Sequence, residues 1–151
     1  MMVRTHVVLA LAFGLALVPY TTHRLSFIPL VILATLLPDI DCTQSYLGRH
    51  WIWRPLQWCT RHRGLLHSLT FCLIVTSVLA LFIPVFALPF FLGYSLHLFA
   101  DSLTVEGIHL WWPRGGEVRG SIRTGGHVEQ VTFWSILGVC VVLAVLLLSK
   151  N

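Results

Sequence analysis

The chain has 151 residues, of which 56% are hydrophobic and 11% are charged. Because soluble domains carry roughly a quarter charged residues, this composition excludes an ordinary water-soluble globular protein. Ten basic and six acidic residues give a formal net charge of +4. The positions of these charges along the chain are more informative than their sum.

The hydrophobic residues lie in five blocks that are nearly free of charge. A transmembrane helix needs about 17–25 apolar residues; the third and fifth blocks reach that length directly, and the others reach it with flanking residues. We therefore predict an all-α, polytopic membrane helical bundle that forms a single integral membrane domain over residues 1–151. The predicted spans lie near 5–22, 24–39, 64–83, 84–102 and 130–149, with loops at 40–63 and 103–129.

The first block has a second interpretation, a cleaved signal peptide. The stretch LVPYTTHR that follows it lacks a small-residue cleavage pattern, and the chain continues at once into another apolar block. We therefore expect the first span to be retained.

The basic residues predict the orientation of the bundle. With five spans, eight of the ten basic residues lie on the side of the N-terminus and the two long loops, and Arg24 and Lys150 lie opposite. The positive-inside rule makes the basic side cytoplasmic. We therefore expect a multi-pass protein of the cell inner (plasma) membrane. Its N-terminus and both loops lie in the cytoplasm, and its C-terminus lies outside.

The same topology collects nearly all metal-type side chains at the cytoplasmic ends of spans. These residues are His6, Asp39, Asp41, His62, His67, His97 and Asp101. Imidazole and carboxylate are favoured ligands of zinc and related ions. The sequence therefore predicts a site for one or two divalent ions, with zinc first, at the cytoplasmic rim.

The stretch LLPDID ends the second block. Pro38 cannot continue a helix without losing a backbone hydrogen bond, so Asp39 and Asp41 follow a break and can point two carboxylates toward one ion or two adjacent ions. A hydrated turn capped by aspartates is the alternative. Either carboxylate is a candidate catalytic base or bridging ligand.

The stretch HRGLLHS opens the third block. His62 and His67 are five residues apart, so they converge only if the chain turns at Gly64 before the helix begins. An interfacial histidine pair beside an arginine is the alternative.

In GYSLHLFAD, His97 and Asp101 are four residues apart and share one helix face. Ionisable groups inside a membrane segment indicate a functional site; a hydrogen bond that joins helices is the alternative. His6 lies one turn into the first span. By itself it is typical of a polar interface residue, and it is a candidate metal ligand only as a member of the larger set. Glu129 is interpreted as a helix-start residue.

Arginines beside the predicted site can receive an anionic group, because guanidinium matches phosphate bidentately. The candidates are Arg61, Arg63 and Arg123. Orientation charge and contact with anionic lipid are the alternative roles. The tryptophans and arginines of 49–58 favour the headgroup region, and no nucleic-acid partner is expected.

The ordered set LLPDID, HRGLLHS, GYSLHLFADSLTVEGIHLWWP and IRTGG resembles the YdjM/YbcI-type inner-membrane metal-dependent hydrolases. The resemblance runs from His6 to about Glu129, and the family is distantly similar to the zinc phospholipase C and P1 nuclease group. It implies a role at the site for six of the residues above, namely Asp39, Asp41, His62, His67, His97 and Asp101. It assigns Thr104, Gly107 and Pro113 to the turn that follows, and Leu66 departs from its usual threonine.

The resemblance also implies a cytoplasmic regulator protein as a partner, since some members are described as binding the SOS-response repressor. Membrane lipids are the other expected partner, because a site at the rim can reach a lipid headgroup. We expect a membrane-embedded hydrolase that acts on a phosphoester, such as a phospholipid headgroup, with metal-activated water. The alternatives are a non-enzymatic membrane scaffold or docking protein with a structural metal, and a metal or proton transporter.

Overall fold

The computed structural model describes residues 1–45, 47–60 and 63–149. Helices account for the regular structure of these residues, and they contain no β-strand, which confirms the predicted all-α class. The α-helices are α1 Val3–Leu17, α2 Arg24–Leu36, α3 Arg54–Cys59, α4 Leu69–Phe82, α5 Pro84–Ser102 and α6 His127–Leu148. The 3₁₀ turns are Val18–Tyr20, Pro38–Asp41, Trp51–Trp53 and Leu65–His67.

Three helical segments of the described chain are long and apolar enough to cross a membrane. They are Val3–Tyr20, Pro84–Ser102 and His127–Leu148. The apolar helix α4 has 14 residues and α2 has 13, which at 1.5 Å per residue reach about 20 Å of the roughly 30 Å of hydrocarbon. Membrane crossing by α2 and α4, and with it the five-span topology and its orientation, stays a prediction.

The two helices that flank the 3₁₀ turns are shorter than the predicted spans because local chemistry ends them. Helix α2 ends at Leu36, just before the turn that Pro38 opens. Helix α4 begins at Leu69, and the hydroxyl of its N-cap Ser68 accepts the backbone N–H of Phe71 at 3.2 Å. As a result the residues of both turns, with their aspartates and His67, lie at helix ends and not within helices.

Helix α5 lies at the centre of the bundle, where it packs against α1, α2 and α4, and α6 packs against α1. The α1–α6 contact is built around Val8, Ala12 and Cys140. A second cluster, around Tyr94 and Leu98 of α5, joins α4 and the segment after α5. Since α5 contacts three other helices, side chains on it can meet groups from most of the molecule.

The packing of α2 on α5 depends on Gly93. A Cβ added at Gly93 would lie 2.1 Å from the carbonyl oxygen of Val31 and 2.9 Å from the Cβ of Ala34. The same close approach lets the Thr35 hydroxyl donate a hydrogen bond to the Gly93 carbonyl at 2.8 Å. Gly93 therefore fixes the separation of the two helices that lead to Asp39 and His97.

Residues 103–126 form an irregular segment whose backbone pairs with itself. Ile108 and Val118 exchange two hydrogen bonds, at 3.0 and 2.9 Å, and Thr104 pairs with Ile122. Gly107 has a φ of +64°, a conformation that glycine adopts without a Cβ penalty. The segment, which lies within the predicted loop 103–129, is held against the end of α5 and borders the aspartates and histidines.

We predict that Gly93→Ala destabilises the protein, because the added methyl group must push α2 and α5 apart. Overpacking of this kind costs about 1–3 kcal/mol. The measurement is the thermal unfolding midpoint of the detergent-purified protein. Gly138→Ala in α6 is the matched control, since a Cβ there meets nothing within 4 Å. An equal midpoint for both variants would contradict the close packing of α2 on α5.

Candidate metal centre

Imidazole and carboxylate groups from four elements meet at one end of the bundle. Asp39 comes from the turn after α2, His67 from the turn before α4, His97 and Asp101 from α5, and His6 from α1. The side chains of His6, His67, His97 and Asp101 are at most 4% exposed, and that of Asp39 is 17% exposed. The site is therefore buried, with its widest opening at Asp39 among these five.

Four of these side chains present their atoms to one another around a closed ring. Asp39 Oδ1 lies 3.5 Å from His67 Nε2 and 3.7 Å from His97 Nε2. Asp101 Oδ2 lies 3.9 Å from the same atom of His67 and 3.6 Å from that of His97. These separations are longer than those of typical N–H···O hydrogen bonds, so the four groups face one another across a small space.

A second group shares His97 with the first. His6, His97 and Asp101 each offer one ligand atom, and these atoms lie within 4.8 Å of one another. The rings of His6 and His97 stack with centroids 4.0 Å apart, and His6 Nε2 lies 3.3 Å from Asp101 Oδ1. Asp101 Oδ1 also accepts a hydrogen bond from the Met1 amino group at 2.6 Å. The two oxygens of Asp101 therefore serve different neighbours.

Asp41 lies on the other side of His67. Its Oδ2 is 3.5 Å from His67 Nδ1, the ring nitrogen opposite the one that faces Asp39. Within the described residues, neither group of converging ligand atoms includes Asp41. Asp41 thus lies behind His67, a candidate ligand. The sequence analysis predicts that Asp41 itself is a metal ligand or a catalytic base.

Arg63 brings a positive charge to the rim of the site. The φ of this residue is +66°, and its Nη1 donates to the Gly107 carbonyl at 3.1 Å. Its Nη2 lies 4.0 Å from Asp101 Oδ2, and Nη1 lies 3.9 Å from Glu106 Oε2. The guanidinium therefore joins residues 103–126 to the five side chains described above, which we call the metal-type cluster. The Arg63 side chain is 21% exposed.

The surroundings of Glu106, beside this arginine, lower the pKa of its carboxyl group. Slight burial raises the pKa, but four other effects outweigh burial and hold it below its ordinary value of 4.5. They are hydrogen bonds from its own backbone N–H and from the Thr124 and Thr104 side chains, and the charge of Arg63. Arg63 is thus shared between two carboxylates, and its predicted role as an anion ligand stays a prediction.

The remaining predicted residues have other positions. Arg61 and His62 lie outside the described residues, so their predicted roles as anion ligand and metal ligand stay predictions. Arg123 has an exposed side chain, and no described contact joins it to the metal-type cluster. His97 and Asp101 share one face of α5 as their spacing predicts.

Glu129 has a structural role that the sequence does not reveal. It is 1% exposed, and its Oε1 accepts hydrogen bonds from the Met2 N–H at 2.7 Å and the Thr5 hydroxyl at 2.8 Å. Its Oε2 accepts the Gly125 N–H at 2.6 Å. One carboxylate therefore ties the start of α1, and with it His6, to α6. Its partners Met2 and Thr5 are more than a hundred residues away along the chain, so the sequence gives no signal for these contacts beyond an acidic residue near the start of a span.

We predict that Glu129→Ala lowers the thermal unfolding midpoint by roughly 2–10 °C, because it leaves buried donors unsatisfied at about 1–3 kcal/mol. The midpoint is measured on the detergent-purified protein. Glu117→Ala is the control, since Glu117 is exposed and pairs with Arg119 at the surface, where ion pairs contribute little. A midpoint that is the same for wild type and Glu129→Ala would contradict the buried contacts of this carboxylate.

Comparisons with known proteins place the chain among bacterial membrane proteins. It is 44% identical over 95 residues to the inner membrane protein YdjM of Escherichia coli K12 and to that of Shigella flexneri, covering 57% of this chain. The chain spans about half the length of these curated relatives, since the match covers 48% of each. It is 31% identical over 129 residues to the uncharacterized protein YvsG of Bacillus subtilis 168, covering 78% of this chain and 81% of YvsG.

No solved structure matches the chain. A family model described as YdjM inner membrane protein matches residues 1–150. Its extent covers every helix described above and all the residues of the two converging groups. The chain belongs to the YdjM family of inner membrane proteins.

Proposed function

We propose that the chain is a membrane-embedded, metal-dependent hydrolase that acts on a phosphoester. The observation that carries the proposal is the ring formed by Asp39, His67, His97 and Asp101 at one end of an apolar helix bundle. Imidazoles and carboxylates buried together at the end of membrane helices are costly and accompany function far more often than packing. The resemblance of the motifs implies the same reaction class.

The sides of the ring are close in length to the ligand–ligand separations of a metal site. Two ligand atoms that are each about 2.1 Å from the same zinc ion lie about 3.4 Å apart at the tetrahedral angle. The four separations around the ring are 3.5, 3.7, 3.6 and 3.9 Å, slightly wider than that value. The ligand atoms that all lie within 4.8 Å of one another form two groups of three, one of Asp39, His67 and His97 and one of His6, His97 and Asp101. Both ring nitrogens of His97 are buried without a hydrogen-bond partner among the described residues, and a bound ion would give Nε2, the nitrogen that faces the ring, a partner.

The donor set favours zinc or a similar divalent ion. Two neutral imidazoles and two carboxylates suit zinc and lack the soft thiolates of a closed structural site. The second group contains His6, also buried, whose Nδ1 has no described hydrogen-bond partner. Because His97 and Asp101 belong to this group as well, the arrangement supports a site for one or two ions.

Each surrounding residue then has a distinct task. A bound divalent ion supplies Lewis-acid polarisation of a phosphoryl oxygen and acidifies water. Asp41 orients His67 through Nδ1 and so leaves Nε2 facing the other ligands, as outer carboxylates do in metal sites. Asp39 is the most exposed of the four ring residues and is placed to accept a proton from water. Arg63 balances the carboxylates and attracts an anionic substrate to the rim.

The substrate and the orientation belong to the same proposal. The positive-inside pattern supports a site that faces the cytoplasm. A site at this depth can reach a lipid phosphoester without extracting the lipid from the bilayer. Membrane lipids are therefore the first partner that we propose.

A non-enzymatic scaffold that holds its metal for structure is the second candidate. Burial of His67, His97 and Asp101 to 4% or less favours it, since a closed site admits little substrate. Trp111 and Trp112 are 53% and 40% exposed in the segment after α5, which suits a docking surface for a cytoplasmic regulator. In this candidate the metal is bound and no substrate is hydrolysed.

We predict that purified protein binds one or two zinc ions and that Asp39→Asn and His97→Gln lower the zinc affinity by about tenfold or more, because each removes a donor from the ring. Zinc content is measured by elemental analysis after dialysis. Hydrolysis of bis(p-nitrophenyl) phosphate and of phosphatidylglycerol is expected to fall about a hundredfold or more in both variants.

His23→Gln is the matched control for these substitutions, since His23 is exposed at the opposite end of the bundle, and it is expected to keep its zinc and its activity. Full zinc content in both ring variants would refute the site. Zinc-loaded wild type without hydrolysis of either substrate would refute the enzyme and favour the scaffold.

A further inference from the structure

An apolar groove runs along the bundle between α2, α4 and α5. It consists of two cavities of about 290 and 330 Å³, and both cavities are lined by Leu37, Val75 and Phe90. The first extends between Leu30 and Leu33 of α2 and the start of α5 at Phe86; the second continues toward the 3₁₀ turns that carry the candidate metal ligands. From Phe86 to Tyr94 the groove follows α5 for about 12 Å.

The groove offers a guest no free hydrogen-bonding group in its described lining. Thr60 and Tyr94 are the lining residues with a polar side-chain group. The Thr60 hydroxyl donates to the Leu56 carbonyl at 2.8 Å, and the Tyr94 hydroxyl donates to the Leu66 carbonyl. A guest in this groove is therefore a hydrocarbon chain and not a polar ligand.

One end of the groove lies directly beside the candidate metal centre. Ile40, which lines it, stands between the two aspartates of the Pro38–Asp41 turn. Leu66, which also lines it, precedes His67, and Tyr94 lies one turn before His97 on α5. The same short elements thus present apolar side chains to the groove and polar side chains to the metal centre.

The surroundings point to a lipid as the guest. The helices that form the groove belong to a membrane protein, so acyl chains are the solvent around them. Near the metal centre, α3 contributes Leu56 to the groove. Trp58 of α3 and Trp51 of the preceding 3₁₀ turn are 82% and 83% exposed, and exposed tryptophans are typical of the headgroup level of a membrane. Arg63 adds a cation beside the centre.

We propose that this groove, the acyl groove, holds one acyl chain of an anionic phospholipid whose phosphate group lies at the metal centre. The inference rests on the proposed function for its reaction, and it names the substrate class of that site. The groove is long and apolar, and one of its ends lies beside the metal centre. These features favour a lipid phosphoester over a small soluble one as the substrate. Binding of the chain is independent of turnover and can be measured by itself.

The test is photo-crosslinking in nanodiscs of phosphatidylcholine that contain phosphatidylglycerol with a diazirine on one acyl chain. Adducts on the full chain are mapped by mass spectrometry. We expect adducts at the groove residues Leu37, Val75 and Phe90 to exceed those at the outward-facing residues Val78 and Val142 about fivefold or more, although the latter are 49% and 58% exposed.

Two variants narrow the groove at different depths, Val75→Trp and Leu79→Trp, and each is expected to lower groove adducts about fivefold or more. Val78→Trp is the matched control on the same helix, facing away from the groove. Each variant is compared only if it elutes as a single species with the zinc content of wild type. Two narrowing variants keep the test decisive if one of them fails to fold.

Hydrolysis then separates the two proposals. We expect both narrowing variants to lose phosphatidylglycerol hydrolysis while they hydrolyse bis(p-nitrophenyl) phosphate as wild type does. Adducts spread in proportion to exposure, or unchanged in both narrowing variants, would overturn the acyl groove even if the protein is an active hydrolase. Groove-specific adducts without any hydrolysis would support the groove and refute the proposed reaction alone.

Discussion

The structure depends on the mutual compensation of carboxylates and imidazoles buried at one end of an apolar bundle. An isolated carboxylate in such surroundings costs several kcal/mol, so Asp39 and Asp101 can be buried only if protonated neighbours or a bound cation offset the charge. The nearest neighbours are His6, His67 and His97, with the Arg63 guanidinium and the Met1 amino group at the edges. Removing one member leaves the others uncompensated.

The helix ends bring the members of this cluster together. Helix α2 ends before Asp39 and α4 begins after His67, with a 3₁₀ turn at each junction. Helix α5 continues through the site and supplies two ligands one turn apart. Gly93 brings α2 close to α5 on the approach to this end. The apolar packing of α2 on α5 therefore sets the positions of the polar groups at the end of the bundle.

The sequence predicts the parts that depend on local pattern. Hydropathy identifies the apolar helices, and the i,i+4 spacing places His97 and Asp101 on one face of α5. The break at Pro38 predicts the end of α2. Counting charges on one assumed topology also brings His6, Asp39 and His67 to the same end, where the structure brings them together. These signals all act over a few residues or over whole spans.

Pairings between distant residues could not be predicted, because a single sequence carries no record of which atoms touch. Asp41 and Asp39 look equivalent in LLPDID, yet one faces His67 Nδ1 and the other faces Nε2. Glu129 resembles an ordinary helix-start residue until its contacts with Met2 and Thr5 are known. Arg63 was predicted to bind substrate, and its contacts with Gly107 and Asp101 follow from the fold of residues 103–126.

The central claim of the proposal is that nitrogen and oxygen donors of α5 and its neighbouring turns hold one or two divalent ions. X-ray absorption spectroscopy of the zinc-loaded protein tests it most directly: the account predicts a coordination shell of nitrogen and oxygen atoms at about 2.0–2.1 Å with the scattering of at least two imidazoles. A sulfur ligand at about 2.3 Å from one of the four cysteines, or a shell without imidazole, would contradict it.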